Sequence, residues 1–357
     1  LRTWGPDTLT PELHADGDTI HELAITVDAE DTTRPHRLNL TLFDASLTKY
    51  ATLDVDLEGE RTILDEASGL QAPALLLLND GDHTYAKVRF DETSLETIRT
   101  RLSAVPDELS RAVIWTSLWN LTRDGEWPVR SYLDTVLNHA PAESNPTLLT
   151  TAFANARYAI DHFVDEESRE DIRADYAERL WQVLQQAPAG SDAQLTLARA
   201  AIQALAATPE NSGTQRLRAL LDGSVDGLAL DPDIRWSILR ALAARDAVSA
   251  EELEAEKERD NTLTGAAAYL GVSHTFPSAE VKREVFDLVR TPGKYSNAEV
   301  DSLLAAFNAP RSAHLTEAFA QEYFDSLAKL WEEHPIEIAN RLVRGLYPDL
   351  ALSLIHI

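Results

Sequence analysis

Apolar positions between residues 19 and 91 recur with a period of two. In "HELAITVD", Leu23, Ile25 and Val27 alternate with Glu22, Ala24, Thr26 and Asp28. In "HRLNLTLFD", Leu38, Leu40 and Leu42 alternate with Arg37, Asn39 and Thr41, and in "TLDVDLEGE" Leu53, Val55 and Leu57 alternate with Thr52, Asp54 and Asp56. Side chains on a strand point to opposite faces in turn, so this pattern predicts antiparallel strands with one face in a core and one in water. Ala74 to Leu78 is continuously apolar, which predicts a strand covered on both faces. "NDGD" then marks a turn, and "TYAKVRF" leaves it as a further strand, with Ala86, Val88 and Phe90 on one side. Short strands with turn signals about every ten residues predict a small antiparallel β-sandwich over 19–91.

From residue 92 the period changes to that of a helix. Thr93 with Glu96, Ser249 with Glu252 and Ser296 with Glu299 each match the capping box, in which two side chains satisfy orphan N–H groups of the first turn. Asp231-Pro232 offers an N-cap followed by a proline whose missing N–H costs nothing there. Leu195, Ala198, Ile202 and Leu205 share one helical face, as do Ile234, Ile238 and Leu242. About a dozen such amphipathic segments, separated by short Pro, Gly or Asn loops, predict an all-helical domain of HEAT-like antiparallel pairs over 92–351. The fold class is therefore α+β, mostly α. Residues 1–18, rich in Pro, Gly and Asp, read as a connector.

Composition narrows the function. The 357 residues carry 59 acidic against 32 basic side chains, a net charge of −27, which opposes binding to nucleic acid or anionic membranes. The surplus reads foremost as surface solubility. With no cysteine there are no disulfides or thiolate sites, in keeping with a cytoplasmic location. No apolar run reaches the ~20 residues that span a bilayer. The chain starts at Leu1 and contains no methionine, which reads as a fragment. Its last residues, 352–357 (LSLIHI), look like the translated end of a sequencing-library adapter and are set aside as an artefact.

Catalytic motifs are incomplete. His21-Glu22 begins H-E-x-x-H, but Ile25 stands where the second histidine belongs. Glu333, His334 and Glu337 are interrupted by Pro335, and His162 lies beside Asp161 and Asp165 without a partner at ligand spacing. Gly271-Val272-Ser273 lacks the final glycine of a nucleophile elbow, and Pro292-Gly293-Lys294 lacks the upstream glycine of a P-loop. Glu251, Glu252, Glu254, Glu256 and Glu258 read as a solvated helix face, and the pairs Trp115/Trp119 and Phe319/Phe324 as core. No residue is assigned a catalytic, cofactor-binding or metal role.

Several stretches nonetheless carry a likeness. "GPDTLTPEL", "RPHRLNLTLFD", "PALLLLNDGDHTYAKVRFD", "SRAVIWTSLWNLTRDGEWPVRSYL", "LDPDIRWSILRALAA" and "YFDSLAKLWEEHPIEIANRLVRGLYP" occur in this order. Together they resemble the C-terminal half of the aminopeptidase N family of zinc metallopeptidases, actinobacterial-like. The resemblance implies a β-sandwich spacer and an ERAP-type C-terminal bowl that encloses an active site and limits peptide length. The zinc ligands and catalytic residues of that family would lie upstream of Leu1, so zinc belongs to the intact parent and none is carried onto this chain. The partners implied are the upstream catalytic domain and peptide substrates. Basic residues of the bowl would meet a peptide's carboxylate, with Arg157, Arg199, Arg235 and Arg240 as the candidates. The alternative reading is a stand-alone helical-repeat scaffold that binds a partner protein.

Overall fold

Residues 5–30, 33–208 and 211–348 are described by the computed structural model, and 352–357 lie outside it. The chain divides into two compact units, 1–164 and 165–357.

The first unit opens with seven strands: β1 (Asp7–Asp16), β2 (Thr19–Asp28), β3 (His36–Phe43), β4 (Lys49–Leu57), β5 (Arg61–Ile63), β6 (Leu75–Leu78) and β7 (Ala86–Val88). They form two sheets, of order β5-β2-β1-β7 and β4-β3-β6. Leu23, Ile25 and Val27 of one sheet share a core with Leu38, Leu40, Leu42, Val55 and Leu57 of the other, the faces that alternation predicts. Two expectations change. The supposed connector contains β1, which pairs along its length with β2, because Leu9 reaches the core despite the surrounding Pro and Asp. The strand expected over "TYAKVRF" shortens to Ala86–Val88, and it runs parallel to β1, closing the sheet from its last strand back to its first.

All four leucines of β6 are buried. One edge of β6 pairs with β3. Helix α1 (Glu92–Arg101) is strapped along β6: the Leu76 amide donates to Ser94 Oγ at 2.8 Å, and Thr97 Oγ1 donates to the Ala74 carbonyl at 2.7 Å. The turn leaving β6 is built by Asn79, whose Oδ1 accepts from the amides of His83 (2.9 Å) and Thr84 (3.0 Å). Asn79 and Asp82 sit at positive φ, where a short polar side chain that bonds locally is tolerated. The unit is completed by α2 (Glu108–Arg123), α3 (Val129–His139) and α4 (Pro146–Phe163). Helix α1 starts two residues earlier than the Thr93 box predicts. Asp91 is extended and accepts from Ser94 N at 3.0 Å, so Thr93 is already helical and Glu96 pairs with Arg99 instead.

The second unit is helical throughout its described residues: α5 (Glu166–Gln186), α6 (Asp192–Ala207), α7 (Asn211–Leu221), α8 (Pro232–Ala243), α9 (Ala250–Arg259), α10 (Leu263–Ser273), α11 (Ala279–Val289), α12 (Asn297–Phe307), α13 (Ala313–Thr316), α14 (Ala320–Glu333) and α15 (Ile336–Gly345). Helices α6, α8, α10, α12 and α15 pack in succession, while α5, α7, α9 and α11 lie against α6, α8, α10 and α12. Both remaining capping boxes form, at Ser249 and at Ser296, and Asp231 caps α8. A ring cluster of Phe286, Phe307 and Phe319 centres the last core, with Phe286 and Phe319 centroids 4.8 Å apart. Phe324, expected in the core, is 44% exposed and lies edge-on against its neighbour Tyr323, which is 2% exposed, with ring centroids 5.0 Å apart.

Candidate functional site

The residues singled out for chemistry are not brought together. His21 is exposed on β2, and Glu22 accepts from Arg61 Nη2 at 2.7 Å. His162 stacks on Tyr158 with centroids 4.1 Å apart, and Asp165 caps α5. His334 is buried, with its Nε2 3.2 Å from the Arg290 carbonyl, while Glu337 is exposed on the next helix. Ser273 ends α10 and donates to the Leu270 carbonyl at 3.0 Å. Gly293 occupies a turn at φ 68°. Among the described residues no group of three or more His, Cys, Asp or Glu side chains could hold a metal ion.

A hydroxyl–imidazole–carboxylate row does occur, unanticipated in the sequence because its members are far apart. Thr84 Oγ1 lies 2.7 Å from His36 Nδ1, and His36 Nε2 lies 2.9 Å from Asp7 Oδ2. Burial pushes the Asp7 carboxyl up, but hydrogen bonds from the Arg34 amide and His36, with the Arg34 charge, outweigh it and hold the group below the usual range. The spacing is that of a nucleophile, its base and the group that orients the base. However, the amides of His83 and Thr84 both already donate to Asn79, so they are not free to stabilise an oxyanion. The row acts as a clamp from β1 through β3 to the β6–β7 turn.

Buried ion pairs are likewise structural. Glu143 accepts from Arg111 Nε at 3.0 Å and from Trp115 Nε1 at 2.9 Å. Glu256, expected on a solvated face, is 5% exposed and takes Arg235 Nε and Nη2 at 2.7 and 2.6 Å. Glu252 pairs with Arg218 and Glu254 with Lys257, so much of the acidic face of α9 is engaged in ion pairs.

The four candidate arginines separate cleanly. Arg157 and Arg199 are exposed, and Arg235 is committed to Glu256. Arg240 is half-buried, and burial lowers its pKa. Its Nη2 donates to Ser302 Oγ at 3.1 Å and its Nη1 to the Ser302 carbonyl at 3.3 Å. Ser302 sits on Gly271 of α10, where an added Cβ would lie 2.2 Å from its Oγ. Sequence reasoning reached Arg240 but not Ser302, which lies two helices along the row.

Residues 75–354 match the family model described as the ERAP1-like C-terminal domain. The chain belongs to that family. The matched stretch of this ERAP1-like domain begins at Leu75, the first residue of β6. The chain is also similar to aminopeptidase N of Streptomyces lividans, with 34% identity over 369 residues, covering 99% of this chain and 43% of that protein. In fold it is similar to the aminopeptidase A of Legionella pneumophila solved in complex with aspartic acid. That likeness has a TM-score of 0.56 at 14% identity and covers 98% of this chain and 47% of the other. The chain thus spans less than half the length of each relative. No helix among the described residues is long and apolar enough to cross a membrane.

Proposed function

We propose that this chain is the non-catalytic part of a zinc aminopeptidase, an enzyme that releases N-terminal residues from peptides. In this reading the sandwich is a spacer and the second unit is a bowl that governs peptide access to an active site on a preceding domain. The observation that carries it is the similarity to aminopeptidase N across 99% of this chain but only 43% of the relative. Zinc in such an enzyme polarises the scissile carbonyl and lowers the pKa of bound water. In this reading the zinc and the chemistry it supplies belong to the preceding domain. Its contribution is binding and enclosure: close-packed rows of helices present a rigid wall on which a peptide can be held.

The test is complementation. The purified chain is assayed on leucine 4-nitroanilide and on peptides of graded length, alone and mixed with the part of the Streptomyces lividans enzyme that it does not match. The expected result is no turnover alone, association with that part, and a peptide-length preference that appears only in the mixture. Turnover by the chain alone, or failure to associate, would overturn the reading.

A further inference from the structure

His139 ends α3, is 6% exposed, and has both ring nitrogens engaged. Its Nε2 lies 3.0 Å from the Arg99 carbonyl in the last turn of α1. A carbonyl can only accept, so Nε2 carries the ring hydrogen. Its Nδ1 lies 3.4 Å from the Ser103 amide, which can only donate, and 3.0 Å from Ser103 Oγ. Two backbone groups thus fix the neutral imidazole with its lone pair on Nδ1, facing the Ser103 hydroxyl. Ser103 sits in a single 3₁₀ turn, Leu102–Ala104, directly after α1, and is exposed, so a reagent in solution can reach it. Two other hydroxyls beside imidazoles differ. Ser273 Oγ lies 3.2 Å from His274 Nδ1, but that nitrogen donates to the Leu270 carbonyl at 2.7 Å and has no lone pair to offer. Thr84 meets His36 Nδ1, but as a branched, half-buried alcohol.

We propose that Ser103 is a site of covalent acylation, with His139 as its base and an activated acyl compound, an ester or an acyl phosphate, as the donor. Ser103 Oγ bonds to the acyl carbon, its proton passes to His139 Nδ1, and the bond from that carbon to the leaving oxygen breaks with its electron pair. The imidazole then gives the proton to water and is neutral again. The Ser103 amide is committed to His139 and the Val105 amide to the Leu102 carbonyl, so neither is free to stabilise an oxyanion. An activated donor can load the serine without that help, whereas the ordinary ester it leaves is not hydrolysed at a matching rate. The outcome is a modified serine rather than turnover. The site stands independently of the aminopeptidase reading, which the complementation assay tests separately.

The experiment treats the whole chain with 4-nitrophenyl acetate or with acetyl phosphate, and peptide mass spectrometry follows acetyl occupancy at each serine with time. Ser103 should be acetylated on the order of a hundredfold faster than Ser273, the contribution of a positioned general base. This comparison is made within the unaltered chain, so it does not depend on a variant folding. His139→Gln keeps an N–H for the Arg99 carbonyl but supplies no basic lone pair, and should slow acetylation of Ser103 by a similar factor. Ser103→Ala should remove the fast phase of 4-nitrophenolate release. Loading by the ester alone assigns the donor to neutral esters, and faster loading by acetyl phosphate assigns it to acyl phosphates. Ser103 acetylated no faster than Ser273, or a rate unchanged in folded His139→Gln, overturns the site.

Discussion

Lys282 Nζ donates to the Ala306 carbonyl at 2.6 Å from a side chain with no solvent exposure, and its other acceptor is the Thr275 carbonyl at 3.2 Å. Both carbonyls lie at C-terminal ends, of α12 and just beyond α10, where the helix dipole favours a cation. Burial nonetheless lowers the amine from 10.5 to about 8. From about pH 8 to 10.5 the native amine has shed a proton that the unfolded chain still holds. The unfolded state then binds more protons, so stability rises with pH across that window. Relative to Lys282→Met, the wild type should gain at most about 3 kcal/mol between pH 7 and pH 10. Urea unfolding at the two pH values checks this, and a flat difference would falsify the buried-amine account.

Glu143→Gln keeps the shape of its side chain but removes the charge that answers Arg111. Leaving a buried guanidinium without its counter-charge should cost about 3 kcal/mol. The double replacement Arg111→Met with Glu143→Leu should recover most of that loss. Thermal unfolding of the three variants tests the pair; a double variant no better than the single one would place the cost elsewhere.

Gly271→Ala sets a methyl group 2.2 Å from Ser302 Oγ and 2.6 Å from the Ser302 carbonyl oxygen. Helices α10 and α12 must then separate, at a cost of about 1–3 kcal/mol. Chemical denaturation should show a lower midpoint for this variant, and an unchanged midpoint would mean that the two helices are free to slide.

Capping distinguishes two serines and a threonine that share one sequence signature. Ser249→Ala and Ser296→Ala each remove a real box and should cost about 1 kcal/mol. Thr93→Ala should be nearly neutral, because Asp91 caps α1. A comparable loss at Thr93 would relocate the start of that helix.

The strand faces were legible because Leu38, Leu40 and Leu42 must all point one way once the period is two, and that way is the core. Strand β1 was not, since Pro11, Asp7 and Gly5 give the local signals of a loop and only pairing with β2 overrides them. The family was legible from the order of several long stretches. The fate of individual charges was not: Glu256 and Glu258 look alike in sequence, yet only Glu256 meets an arginine from α8. Arg240 could be nominated from its type, whereas Ser302 could be found only once α10 and α12 were seen side by side.

The strap that α1 lays over β6 determines where this polypeptide can be divided. A chain ending at Asp91 would lose Ser94 and Thr97 and bare one edge of a four-leucine strand, with an amide and a carbonyl left unanswered. Such an edge is a template for adding another strand, so that product should precipitate or form fibrils rather than stay dispersed. A chain ending at Val164 keeps the strap and the whole first compact unit, and should remain monodisperse in solution.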